Sequence, residues 1–213
     1  MKKNKKTIIN FFGGSGSGKS FLIKSLSKNL RNVSITVVPA DAYLKTNKYD
    51  DFLEYLKSNH YEWDLLLRHL SKDIGEEFTI PFFDFNKFKR LDKNDGIILK
   101  INKIIIIDSV IPFPYADYYI YIKTSSEIRK KRILHRNKKG NVDYWRDYIM
   151  KNWEKLEKIN NAKLTDNISV DLVINGDMSE SYNIDKIEKL LIEKNLLDRN
   201  KFKKLSKLDN TKV

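Results

Sequence analysis

Thr7-Ile8-Ile9-Asn10-Phe11-Phe12-Gly13-Gly14-Ser15-Gly16-Ser17-Gly18-Lys19-Ser20 joins a short apolar run to a glycine-rich turn that closes on Lys-Ser. From Gly13 the spacing is a glycine, four residues, then Gly-Lys-Ser, which is the pattern of a phosphate-binding loop. Phe21, Leu22, Leu26 and Leu30 follow at helical intervals, so a strand enters the turn and a helix leaves it. Gly13, Gly14, Gly16 and Gly18, with Ser15 and Ser17 between them, let the chain turn successive amide N–H groups inward at a helix N-terminus. Such a nest binds the phosphates of a nucleotide. Lys19 is then expected to reach the β- and γ-phosphates, and Ser20 to offer its hydroxyl to Mg²⁺. A dinucleotide site would need a third glycine in the Gly-x-Gly-x-x-Gly spacing, but Gly14 and Gly16 are followed by Lys19.

Outward from this stretch, short β-branched runs alternate with longer amphipathic segments. The strand candidates are 7–12, 34–38, 103–108, 118–122 and 171–174, each nearly all apolar, as strands covered on both faces must be. Helices are read at 19–31, 50–59, 64–72, 125–137, 143–160 and 184–195. The fold class that follows is α/β: a P-loop NTPase with a central, mostly parallel five-stranded sheet flanked by helices. Residues 75–99 differ in texture, with Phe78, Phe82, Phe83, Phe85 and Phe88 among charges, and read as a small hairpin or lid insertion. One domain is expected over 1–198, followed by a basic tail at 199–213.

The 213 residues carry 41 Lys or Arg against 28 Asp or Glu, a formal net charge of +13. Lys outnumbers Arg 33 to 8, whereas Arg enrichment would be the sharper sign of phosphate recognition, so the excess is read first as solvated surface. Nucleic-acid binding is not the favoured reading. Cysteine is absent, which excludes disulfide scaffolds, zinc ribbons and thiol nucleophiles. The apolar run after Met1–Lys6 is too short for a signal peptide, and no segment reaches membrane-spanning length. A cytoplasmic protein without membrane contact is expected, and a homo-oligomer remains open.

Two acidic residues stand where open α/β sheets bind ligands, at the carboxyl ends of strands. Asp41 follows the second strand and could accept the proton of an attacking hydroxyl, help hold Mg²⁺, or only cap the next loop. Asp108 closes Ile104-Ile105-Ile106-Ile107, as the metal-binding acid of a Walker B strand does, or else starts a turn. Asn47-Lys48-Tyr49-Asp50 matches a guanine-recognition pattern but follows the second strand rather than a late one, so ATP is the expected nucleotide.

In order along the chain, the phosphate loop, Asp41-Ala42-Tyr43, Tyr61-Glu62-Trp63-Asp64, Ile80-Pro81-Phe82-Phe83-Asp84-Phe85 with Arg90 after it, and Ile128-Arg129-Lys130-Lys131-Arg132-Ile133-Leu134-His135-Arg136 resemble the uridine kinase and phosphoribulokinase family. The resemblance spans roughly 7 to 176 and implies transfer of the ATP γ-phosphate to a hydroxyl of a small molecule. It implies that Asp41 is the catalytic base and that Lys19, Arg132 and Arg136 act on the transferring group. By the same resemblance Arg129 joins the nucleotide site, a short lid occupies 137–145, and Tyr43, Phe83, Asp84, Phe88 and Arg90 meet the acceptor beside Asp41. Metal falls to Ser20 and Asp108. The chain departs from uridine kinases where they carry a Tyr (here Phe83), a His (here Phe88) and an acid (here Ser58 or Asn59), so a different acceptor is expected. A nucleotide-dependent switch and a kinase of nucleic-acid ends are the competing readings.

Overall fold

The computed structural model describes residues 5–30, 33–85, 87, 89–91, 96–135, 142–164 and 168–198. Strands β1 (Thr7–Phe12), β2 (Ile35–Pro39), β7 (Ile104–Ser109), β8 (Tyr118–Lys123) and β9 (Leu172–Asn175) form one sheet in the order β2-β7-β1-β8-β9. Every pairing in it is parallel. The isoleucine run of β7 shows why. Ile104 and Ile106 enter the core on one face with Leu22, Leu26, Ile184 and Ile187, while Ile105 and Ile107 enter the core on the other with Leu66, Leu70 and Phe113. Alternate side chains of a strand point to opposite faces, so four consecutive isoleucines serve two cores at once. Ile106→Ala would cost about 2–5 kcal/mol through lost burial and a residual cavity.

Helices α1 (Lys19–Asn29) and α7 (Glu180–Glu193) cover the first face, and α3 (Trp63–Leu70) covers the second. Register then aligns the functional ends. Pro39 and Phe11 both lie opposite Asp108, so the segments after β2 and β1 and the end of β7 emerge side by side.

The single helix expected at 143–160 is two, α5 (Val142–Lys151) and α6 (Trp153–Leu164). At the junction the Asn152 N–H and its side chain both donate to the Tyr148 carbonyl at 3.0 Å, and Leu156 N donates to Asn152 O at 3.0 Å, so helical hydrogen bonds run on across a one-residue interruption. The insertion at 75–99 is not one hairpin but two antiparallel ladders, β3 (Glu77–Thr79) with β6 (Ile98–Lys100) and β4 (Phe82–Asp84) with β5 (Lys89–Leu91). Between them Ile80 N donates to Ile97 O at 2.9 Å, and Pro81, which lacks an N–H, then breaks the ladder. Helices α2 (Phe52–Lys57) and α4 (Ser126–His135) are the other α-helices among the described residues. No described helix is long and apolar enough to cross a membrane.

Candidate active site

The glycine-rich turn wraps the N-terminus of α1. Gly16 has φ +79, and a Cβ there would stand 2.7 Å from the Arg129 carbonyl, so only glycine fits. A Cβ on Gly14 would collide with the Arg129 guanidinium. Two side chains hold the carbonyl of Ser17 near the end of the turn: Thr124 Oγ1 donates to it at 2.9 Å and Arg132 Nη1 at 3.1 Å, while Arg132 Nη2 reaches Gly176 O at 3.0 Å. Holding that carbonyl fixes the backbone of the turn at the helix N-terminus, where amides can receive an anion. The Lys19 ammonium is buried over the turn, donating to Gly13 O at 2.6 Å.

Ser20 Oγ donates to Asp108 Oδ2 at 2.6 Å. A hydroxyl and a carboxylate oxygen held together beside a phosphate nest are hard donors suited to Mg²⁺, which takes few protein ligands and completes its shell with phosphate and water. No group of three or more His, Cys, Asp or Glu converges among the described residues. Ser109, the residue after Asp108, is buried and satisfied: it receives Asn10 Nδ2 at 2.8 Å and donates to Ile111 O at 2.6 Å.

Asp41 sits in a 3₁₀ turn at Ala40–Tyr43, and Tyr61 donates its hydroxyl to Asp41 Oδ1 at 3.2 Å. Burial, then the charge of Asp41, holds the Tyr61 phenol well above its usual pKa, so it stays a donor. The plane of Tyr61 is fixed by Trp63, stacked at 4.2 Å. Asp41 and Ser15 both line one cavity of about 320 Å³. Its remaining wall includes Leu44, Phe52, Phe85, Val110, Trp153 and Leu156.

Several residues expected at the acceptor point elsewhere. Tyr43 is fully buried in the core, with its hydroxyl 2.8 Å from His69 Nδ1. Phe83 is core as well, whereas its neighbour Phe85 lines the cavity. Arg90 clamps the β4–β5 hairpin, donating Nη1 to Glu62 at 2.8 Å and Nη2 to Leu44 O at 3.0 Å. Asp84 Oδ1 accepts from Lys87 N at 3.2 Å in the turn of that hairpin. Arg129, expected at the nucleotide, is buried beneath the turn: it pairs with Glu157, donates Nε to Thr124 O at 3.2 Å and lies 5.3 Å from the Trp153 ring centroid. Phe88, Arg136, residues 137–141 of the expected lid and the tail 199–213 lie outside the described residues.

Other features had no mark in the sequence. Glu157 and Asn160 bring α6 into the cavity wall. His60 lines it too, its pKa lowered to about 4 by burial and then by the charge of Lys163, so it is neutral at physiological pH. A second groove of about 410 Å³ runs from Ser17 and Gly18 past Phe21, Arg132 and Met178.

No family profile matches the chain. It is similar to a uridine kinase of Staphylococcus aureus (strain JH9), 32% identical over 146 residues that cover 62% of this chain and 69% of that one. A uridine kinase of Staphylococcus epidermidis (strain ATCC 12228) is 30% identical over 149 residues, covering 64% and 70% respectively. Among solved structures, a protein assigned as a fructose transport system kinase of Silicibacter sp. TM1040 superposes with a TM-score of 0.58 at 16% identity, over 81% of this chain and 91% of that one. The D-glycerate 3-kinase of Cryptococcus neoformans var. grubii also gives 0.58, at 9% identity over 82% and 88%. At these identities the structural likeness is one of fold.

Proposed function

Because this chain belongs to the uridine kinase family, we propose that it transfers the γ-phosphate of ATP to the hydroxyl of a small molecule other than a pyrimidine nucleoside. The observation that carries the reading is the cavity in which Asp41 meets Ser15 of the phosphate loop, bringing a base and a phosphate site to one space. Asp41 takes the proton of the acceptor hydroxyl as its oxygen bonds to the γ-phosphorus and the bond to the ADP oxygen breaks. Tyr61 orients the carboxylate. Lys19 and the loop amides stabilise the charge on the phosphoryl oxygens. Ser20 and Asp108 would hold Mg²⁺, which supplies charge neutralisation at the phosphates. The groove past Phe21 and Met178, both about half exposed, offers apolar surface to the nucleotide base.

Exclusion of uridine rests on the missing polar groups. Phe83 replaces a tyrosine and is buried in the core, so nothing at that position can pair with base or ribose. A nucleoside that relied on a hydrogen-bonding group at that position would lose it, and such mismatches cost orders of magnitude in efficiency. Steady-state kinetics with Mg·ATP test this. Uridine and cytidine should fall well below a kcat/KM of ~10⁵ M⁻¹s⁻¹, within the range of ordinary enzymes; a value at or above it returns the protein to plain uridine kinase activity.

A further inference from the structure

Arg129 stands between the phosphate loop and helix α6. Its guanidinium packs against Gly14 so closely that no Cβ would fit there, and its carbonyl lies against Gly16. Nε donates to Thr124 O at 3.2 Å, and Thr124 Oγ1 in turn holds Ser17 O at 2.9 Å. On its other side Arg129 pairs through Nη2 with Glu157 of α6, and the guanidinium carbon lies 5.3 Å from the Trp153 ring centroid. Trp153 donates Nε1 to Ser126 Oγ at 2.7 Å, a second tie between α6 and α4. The paired side chains are only 9% and 15% exposed, so each charge is withdrawn from water and depends on the other. A void of about 20 Å³ beside the pair has room for about one water, which leaves the fork little freedom on that side.

Glycines let the loop take several backbone shapes, and a rigid neighbour narrows them to one. A planar fork held at Nε by Thr124 O and at Nη2 by Glu157 presents a fixed surface to Gly14, as a flexible ammonium would not. We propose that Arg129, fixed by Glu157, is the positioning residue of the phosphate loop: it holds Gly14 and Gly16 in the phosphate-binding shape and makes that shape depend on α6 being docked. Helix α6 also brings Trp153, Leu156, Glu157 and Asn160 to the wall of the acceptor cavity, so one ion pair assembles the two substrate sites together. Linkage makes the dependence reciprocal, and a nucleotide on the loop then stabilises the docking of α6. The inference rests on the nucleotide reading of the loop and is independent of which acceptor is used.

The test uses the full chain with Mg·ADP, its affinity read by calorimetry and the docking of α6 by amide hydrogen exchange over residues 153–164. Arg129→Met combined with Glu157→Leu replaces both charges by apolar side chains and strands neither. The melting transition of this double variant should stay close to the parent's, yet Mg·ADP should bind ~10-fold or more weakly and should no longer slow exchange over 153–164 as it does in the parent. A merely structural pair would recover affinity together with stability. Glu157→Gln keeps the shape and removes the charge, so it should weaken Mg·ADP in the same direction and gives the reading should the double variant unfold. Parental affinity for Mg·ADP in a folded variant overturns the inference, as does protection of 153–164 by Mg·ADP that survives in the double variant. A parent that does not bind Mg·ADP sinks the nucleotide reading of the loop, and this inference with it.

Discussion

The hydroxyl of Ser20 donates to Oδ2 of Asp108 at 2.6 Å, although 88 residues of chain separate them. The parallel register of β1 and β7 brings the first turn of α1 and the end of the isoleucine strand to one point. If this pair holds Mg²⁺, Asp108→Asn should raise the Mg²⁺ concentration for half-maximal turnover by ~10-fold or more and lower kcat by ~10²-fold. A Mg²⁺ titration of turnover checks it, and an unchanged midpoint would make Asp108 a turn residue only.

Lys19→Ala removes the cation over the phosphate loop. Phosphoryl transfer should be lost to background, because the transferring group forfeits a charge where charge stabilisation matters most. The core lies elsewhere, so thermal unfolding should remain a single transition near that of the parent. Near-native turnover in this variant would place the active site somewhere other than the loop.

Asp41→Asn keeps the shape of the side chain and removes the base. Turnover should fall by ~10²–10⁴-fold while ATP affinity, read by calorimetry, stays within a few-fold of the parent. A lower melting temperature with unchanged turnover would assign Asp41 to capping its loop.

His60 makes stability fall with acid. Its folded pKa is about 4 against 6.5 for the free side chain, so between those values the unfolded chain binds more protons. Stability is complete above pH 6.5, declines as pH drops toward 4, and loses at most about 3 kcal/mol across that window. His69, also lowered by burial, adds in the same direction. Melting curves from pH 7.5 to 5 should show the decline, and His60→Asn should flatten it; an unaltered slope in the variant would remove His60 from the account.

What could be read from the chain alone follows from how local the signal is. The five core strands are legible because each is an apolar run between turn residues, and the phosphate loop because its chemistry sits in consecutive residues. The one-residue interruption at Asn152 between α5 and α6 is not, since the apolar period runs through it unmarked and helical hydrogen bonds cross it. Motif order brought Tyr43, Phe83 and Arg90 to the acceptor, yet order along the chain does not say which face a side chain takes; the first two join the core and the third becomes a clamp. Glu157 left no mark because its partner Arg129 lies 28 residues away, on another helix.

The fate of the γ-phosphate tests the central claim most directly. With γ-labelled ATP, Mg²⁺ and a panel of small alcohols that includes nucleosides, sugars and polyols, label should appear in an organic phosphate monoester in the parent and fall by ~10²-fold or more in Asp41→Asn. Label recovered only as inorganic phosphate, at equal rates in parent and variant, would contradict a kinase and leave a nucleotide-hydrolysing switch.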